Sequence, residues 1–124
     1  MNIAILMMQK NEKDLLEPWI KYHADLFGAE NLYIYDNGST DDEVISILKK
    51  YGDFGISVEK RFSSKEDFEK KGEIFSRKIK DLDGCGFYDF YFPLDCDEFI
   101  ACKSDDGVLS VGKKEIEQEL KKIS

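Results

Sequence analysis

Basic residues are in short supply. Lys and Arg total 18 against 26 Asp and Glu, which leaves a net charge of −8 over 124 residues. Nucleic-acid backbones are held by Lys and Arg that displace counterions, so this deficit argues against a DNA- or RNA-binding role. Histidine is scarcer still. With His23 alone, a zinc site or a Ser/His catalytic arrangement has little to build on. The three cysteines, Cys85, Cys96 and Cys102, are odd in number and include no C-x-x-C pair, as expected for reduced thiols in a cytoplasmic protein. Long hydrophobic runs are missing too. The apolar opening, Met1 to Met8, stops at Gln9-Lys10-Asn11-Glu12 without a basic leader or a small-residue cleavage site, so it reads as a strand and not as a signal peptide. No segment approaches the roughly 20 apolar residues of a membrane span. Neither G-x-x-x-x-G-K-[ST] nor G-x-G-x-x-G occurs, which removes the main support for a P-loop nucleotidase or a dinucleotide dehydrogenase.

What is present describes one acidic globular domain over residues 1–124, 42% hydrophobic and long enough to bury roughly two-thirds of its unfolded surface. Asn2 to Met8 is a continuous apolar run, as in a strand covered on both faces. Asn11 is placed to cap a helix whose apolar stripe is Leu16, Trp19, Ile20, His23, Leu26 and Phe27, with Pro18 in its first turn and Gly28 ending it. Asn31 to Asp36 reads as a second strand running into the turn Asn37-Gly38-Ser39-Thr40-Asp41. Thr40 and Glu43 have the spacing of a capping box. The next helix puts Val44, Ile45, Leu48 and Tyr51 on one side, and Ile56 to Phe62 reads as a third strand. Ser63 or Ser64 opens one long charged helix with the stripe Phe68, Phe75, Ile79 and Leu82, weakened at Gly72. Phe87 to Leu94 is a fourth strand, Ser104 to Gly107 a turn, Val108 to Val111 a short strand, and Lys113 to Ile123 a closing helix. Strands alternating with helices imply an α/β fold with a mostly parallel sheet and helices on both faces. Ligands in such folds bind beyond the carboxyl ends of the strands.

Three polar clusters fall at those ends: Lys10-Asn11-Glu12, Asp36 to Asp42, and Asp95 to Glu98. In Asp95-Cys96-Asp97 two carboxylates at i and i+2 leave an extended chain on the same side, with no basic neighbour in sequence. All-oxygen ligands of this kind suit Mg²⁺ or Mn²⁺, which also bridge to phosphates; the other reading is two ordinary loop acids. Asp36 to Asp41 is either a helix cap and turn or a set of acceptors for a base N–H or a ribose hydroxyl. His23, on an apolar stripe, reads as a core or boundary histidine before a catalytic residue or ligand, and Lys10 either faces a phosphate or carboxylate or is simply exposed. Cys96, between two acids, has its thiolate disfavoured and makes a poor nucleophile.

Taken in order, Gln9-Lys10-Asn11-Glu12, Glu17-Pro18-Trp19-Ile20-Lys21-Tyr22-His23, Tyr35-Asp36-Asn37-Gly38-Ser39-Thr40-Asp41 and Leu94-Asp95-Cys96-Asp97-Glu98-Phe99 resemble the glycosyltransferase family 2-like and family 92-like enzymes of GT-A fold. The resemblance implies a Rossmann-like nucleotide-sugar-binding domain, and with it the expectation that the chain is the portion of a GT-A domain up to and just past the strand that carries the DxD motif. It implies that Asn11, Glu12, Asp36, Asn37, Asp41 and Asp95 line the donor pocket, and that Asp95 and Asp97 hold Mn²⁺ or Mg²⁺, Asp97 the more directly. Glu98 is implied as a support of the metal. The activity implied is transfer of a sugar from a nucleotide diphosphate donor to a glycan or other hydroxyl acceptor, with the catalytic base expected beyond Ser124. Two alternatives stand beside it: a truncated or degenerate domain that binds without turnover, and a phosphatase of the haloacid dehalogenase type with Asp95 as nucleophile.

Overall fold

The computed structural model of the chain describes residues 1–103, 107 and 109–123. Four strands, β1 (Ile3–Gln9), β2 (Leu32–Asp36), β3 (Ser57–Glu59) and β4 (Phe90–Leu94), form one sheet in the order β3-β2-β1-β4. Every pairing is parallel. Between them run α1 (Leu16–Phe27), α2 (Asp42–Asp53), the short α3 (Lys65–Glu69) and α4 (Lys71–Asp83); an antiparallel pair, β5 (Cys102–Lys103) with β6 (Leu109–Ser110), and a last helix, α5 (Lys113–Lys121), follow. The α/β architecture read from the sequence is therefore present, and its main sheet is wholly parallel.

The centre of the sheet is β1, and all seven of its residues are buried. Its side chains alternate between two cores, as a pleated strand requires. Ile3, Ile5 and Met7 pack with Leu16, Trp19, Ile20, Val44, Ile47, Leu48, Ile116 and Leu120, so α1, α2 and α5 cover one face. Leu6 and Met8 pack with Tyr35, Ile74 and Phe75, so α4 covers the other. Each of these side chains removed from water contributes roughly 1.5–3 kcal/mol, which explains why the strand with no polar alternation became the central one.

Local chemistry departs from the sequence reading in several places. Helix α1 begins at Leu16 with Leu15 as its N-cap and no side-chain cap bond, so Asn11 is not its cap. The cap of α2 is Asp41, whose Oδ1 accepts from the Glu43 and Val44 amides at 2.9 and 3.2 Å; the capping box expected from Thr40 and Glu43 is displaced by a residue better able to accept two bonds. On α2, Ile47 is buried and Ile45 is 40% exposed. The third strand is only three residues long. The long charged helix is two helices, because a capping box of Ser64 with Asp67 starts α3 and the chain breaks at Lys70. None of the residues of α3 is buried, and Phe68 is 42% exposed instead of joining Phe75 in the core. The fourth strand starts at Phe90, leaving Phe87 exposed. Of the expected Val108 to Val111 strand, β6 keeps Leu109 and Ser110; Val108, and Ser104 to Asp106 of the expected turn, lie outside the described residues. Helix α5 stops at Lys121, short of Ile123.

Candidate functional site

Strand register brings the polar clusters together. Gln9 pairs with Asp36 across β1 and β2, and Met7 pairs with Leu94 across β1 and β4. The segments that follow, Lys10 to Glu12, Asn37 to Asp41 and Asp95 to Glu98, thus leave the same carboxyl edge of the sheet. The chain winds outward from β1 to β2 and β3 in one direction and then returns to place β4 on the other side of β1. That reversal opens a crevice beyond the ends of β1 and β4, the place where open parallel sheets bind ligands. A cleft of about 620 Å³ occupies it. Glu12, Asn37, Asp95, Cys96 and Asp97 line it together with Gln9, Lys10, Lys65, Phe68 and Lys71.

The turn after β2 is held by hydrogen bonds that occupy several of the expected ligand residues. Gln9 is 2% exposed; its amide donates to Asp36 Oδ1 at 3.1 Å, and its Oε1 accepts from the Glu12 amide at 3.1 Å. Asp36 Oδ1 also accepts from the Ser39 amide at 3.3 Å. Asn11 Oδ1 accepts from the Thr40 and Asp41 amides at 2.8 and 2.9 Å. Asn11 adopts φ +56°, a left-handed conformation that asparagine tolerates better than most residues. Gly38 has φ +84°, and a Cβ there would sit 3.0 Å from the Ser63 carbonyl oxygen, so this glycine answers both backbone conformation and close approach. Asn37 donates to the Phe62 and Ser64 carbonyls at 2.7 and 2.9 Å, which ties the turn to the start of α3. Of the residues expected around a donor, Glu12, Asn37, Asp95 and Asp97 line the cleft, whereas Asn11, Asp36 and Asp41 are outside its lining and fasten the neighbouring turn and the start of α2.

The acidic strand end is built by a turn and a clamp. Glu98 Oε1 accepts from the Asp95 amide at 2.7 Å, and the Glu98 amide donates back to the Asp95 carbonyl at 3.0 Å. Two residues on, the Ile100 amide donates to His23 Nε2 at 3.3 Å and its carbonyl accepts from the Tyr22 hydroxyl. His23 Nδ1 in turn lies 2.9 Å from the Trp19 carbonyl, so the neutral tautomer with the proton on Nδ1 satisfies both contacts. The ring is fully buried, and that burial pushes its pKa down to about 4. His23 is thus the core histidine expected, with the added task of pinning the Asp95–Ile100 segment to α1.

Asp95 is not unaccompanied as its sequence neighbours suggest. The Lys71 ammonium, delivered by the first residue of α4, lies 2.7 Å from its Oδ1. The lysine side chain is one-third and the aspartate more than half exposed, so the pair is worth no more than about 1 kcal/mol. Asp97 makes no hydrogen bond or ion pair among the described residues. The Cys96 thiol between them is pushed up to about 12, first by burial and then by the Glu12 and Asp97 carboxylates; it is a packing residue and not a nucleophile.

Among the described residues no group of three or more His, Cys, Asp or Glu side chains is arranged around a metal position. Asp95 and Asp97 both line the cleft, and their carboxylates are oxygen donors of the type that Mg²⁺ and Mn²⁺ take. Lys10, Lys65 and Lys71 supply positive charge on the same cleft. Sequence reasoning weighed Lys10 but missed Lys65, Lys71 and Phe68. Their signal lay in Ser64 with Asp67, which separates a short helix from the one that carries the core residues.

No protein-family model matches this chain, and no match is found among curated proteins or solved structures.

Proposed function

We propose that the cleft binds a nucleoside diphosphate, carried as a nucleotide sugar, together with Mn²⁺ or Mg²⁺, in a glycosyltransferase-like domain of GT-A type. The reading is carried by one observation: the crevice where the strand order reverses is lined by Asp95, Asp97, Glu12 and Asn37 together with three lysines. A ligand that suits this mixture has phosphates for the lysines, hydroxyl and N–H groups for the carboxylates, and a place for a shared cation. The order of motifs along the chain, which resembles the family 2-like and family 92-like enzymes, supports the same ligand.

In this reading Asp95 and Asp97 hold the cation, Asn37 and Glu12 face the nucleoside, and the buried Gln9–Asp36 pair keeps the floor rigid. Bound there, the cation would neutralise charge that develops on the leaving diphosphate. Preorganisation is the protein's share of the work. Glu98 and His23 hold the acidic segment in one conformation before any ligand arrives, so little ordering is left to do on binding. The base that accepts the proton of an acceptor hydroxyl is assigned to none of these residues.

The experiment is a calorimetric titration of UDP and of GDP into the protein with Mn²⁺ and with EDTA. We expect binding that tightens at least tenfold with Mn²⁺ for one nucleotide, and loss of that gain in Asp97→Ala. Equal affinity under all four conditions would defeat the proposal. Hydrolysis of p-nitrophenyl phosphate with Mg²⁺, abolished in Asp95→Asn, would point to the phosphatase chemistry instead.

A further inference from the structure

The segment between β3 and β4 has a feature that the core does not explain. Helix α3 buries none of its five residues, yet it is held in place by a complete capping box at Ser64 and by Asn37 bonding the Ser64 carbonyl. Phe68 and Lys71, on either side of the break at Lys70, both line the cleft. The Lys71 ammonium lies 4.8 Å from the centre of the Phe68 ring and 2.7 Å from Asp95. A cation over an aromatic face and against one carboxylate oxygen is held in position without being buried. Because exposed pairs of this kind are weak, an anion with more than one charge can take the ammonium from Asp95.

We propose that Lys71 is the phosphate-binding cation of the cleft, stored on Asp95 in the free protein and handed to the diphosphate of the ligand on binding. The inference rests on the proposed nucleotide reading for the identity of the ligand, but it concerns a step that needs no added metal. Asp95 has two possible partners, the Lys71 ammonium and a divalent cation, and a diphosphate that draws Lys71 away vacates the carboxylate for the cation. Nucleotide and metal therefore bind with positive coupling through one side chain. Phe68 gives the ammonium its second support and offers a flat apolar face beside it.

Inorganic pyrophosphate, titrated in EDTA at low ionic strength, reads this step without nucleoside or metal. We expect measurable binding to the wild type, at least a tenfold weaker constant in Lys71→Met, retention within about threefold in Lys71→Arg, and tighter binding in Asp95→Asn, where the lysine is released. Unchanged affinity in Lys71→Met, absent binding to the wild type, or no gain in Asp95→Asn would each overturn the assignment. Far-UV circular dichroism of the four proteins keeps a folding defect from passing as a loss of binding. A second titration separates this step from the nucleotide reading. If UDP or GDP with Mn²⁺ binds Lys71→Met as it binds the wild type, the functional reading survives and the role of Lys71 does not.

Discussion

The Asp41 carboxylate has a local task as the N-cap of α2. Both hydrogen bonds of the carboxylate go to the first turn of α2, so Asp41→Ala should cost about 1 kcal/mol of stability. Asp41→Ser should recover most of it, as read from urea denaturation midpoints. His23 carries a pH dependence with a definite sign. Its folded pKa of about 4 lies below its ordinary 6.5, so the unfolded chain takes up the proton first. The stability that the neutral ring contributes is complete above about pH 6.5 and is lost as the pH falls towards 4. The shift corresponds to roughly 3 kcal/mol. Denaturant unfolding at pH 7.0, 5.5 and 4.5 should show this loss in the wild type, and a flatter profile in His23→Leu; a wild-type profile no steeper than that of the variant would remove His23 as the cause. The glycine at 38 was visible in the sequence as a turn residue. Its close approach to Ser63 was not, because residues so far apart in the chain meet only once the turn and the start of α3 are docked.

Among the elements, the helices and the central strand were legible because hydrophobic spacing is a strong signal when an element buries one whole side. Helix α1 shows this from Leu16 to Phe27. The stretch from Ser63 to Leu82 was less legible, since Phe68 and Phe75 fit one helical stripe on paper. Local capping at Ser64 broke it, and only the second phenylalanine reaches the core. The difference is measurable. Phe75→Ala should cost about 3–5 kcal/mol as a buried aromatic, whereas Phe68→Ala, being exposed, should stay within about 0.5 kcal/mol. Similar losses from the two substitutions would return Phe68 to the core. Gly72 lies within helix α4 and has open space where a Cβ would sit. Gly72→Ala should therefore stabilise the protein by about 0.5–1 kcal/mol, observed as a higher thermal midpoint. The polar clusters of the site were placed at the right ends of the right strands. The partnership of Lys71 with Asp95 was hidden because it joins α4 to β4 through space, and sequence spacing carries no signal for such a pair.

At the scale of the whole molecule, two cores share one sheet, and no helix among the described residues is long and apolar enough to cross a membrane. Protection should follow this layout. In hydrogen exchange, the amides of β1 should open only with global unfolding, while those of β4, at the sheet edge, and of the β5–β6 pair should exchange sooner. Exchange of β1 as fast as that of β4 would mean that the central strand is not the most stable part.

The parallel order also sets a schedule. Of the four strands of the sheet β1 is made first and has the most to hide, yet its neighbour on one side, β4, pairs Phe90 with Ile3. At synthesis rates of about 5–20 residues per second, that neighbour arrives on the order of ten seconds later. Until then a strand of six apolar residues and Gln9 has one edge without a partner, and the parallel pairing offers no hairpin to cover it locally. The arrangement that forms the cleft therefore leaves one edge of the central strand waiting for the last strand of the sheet to be made.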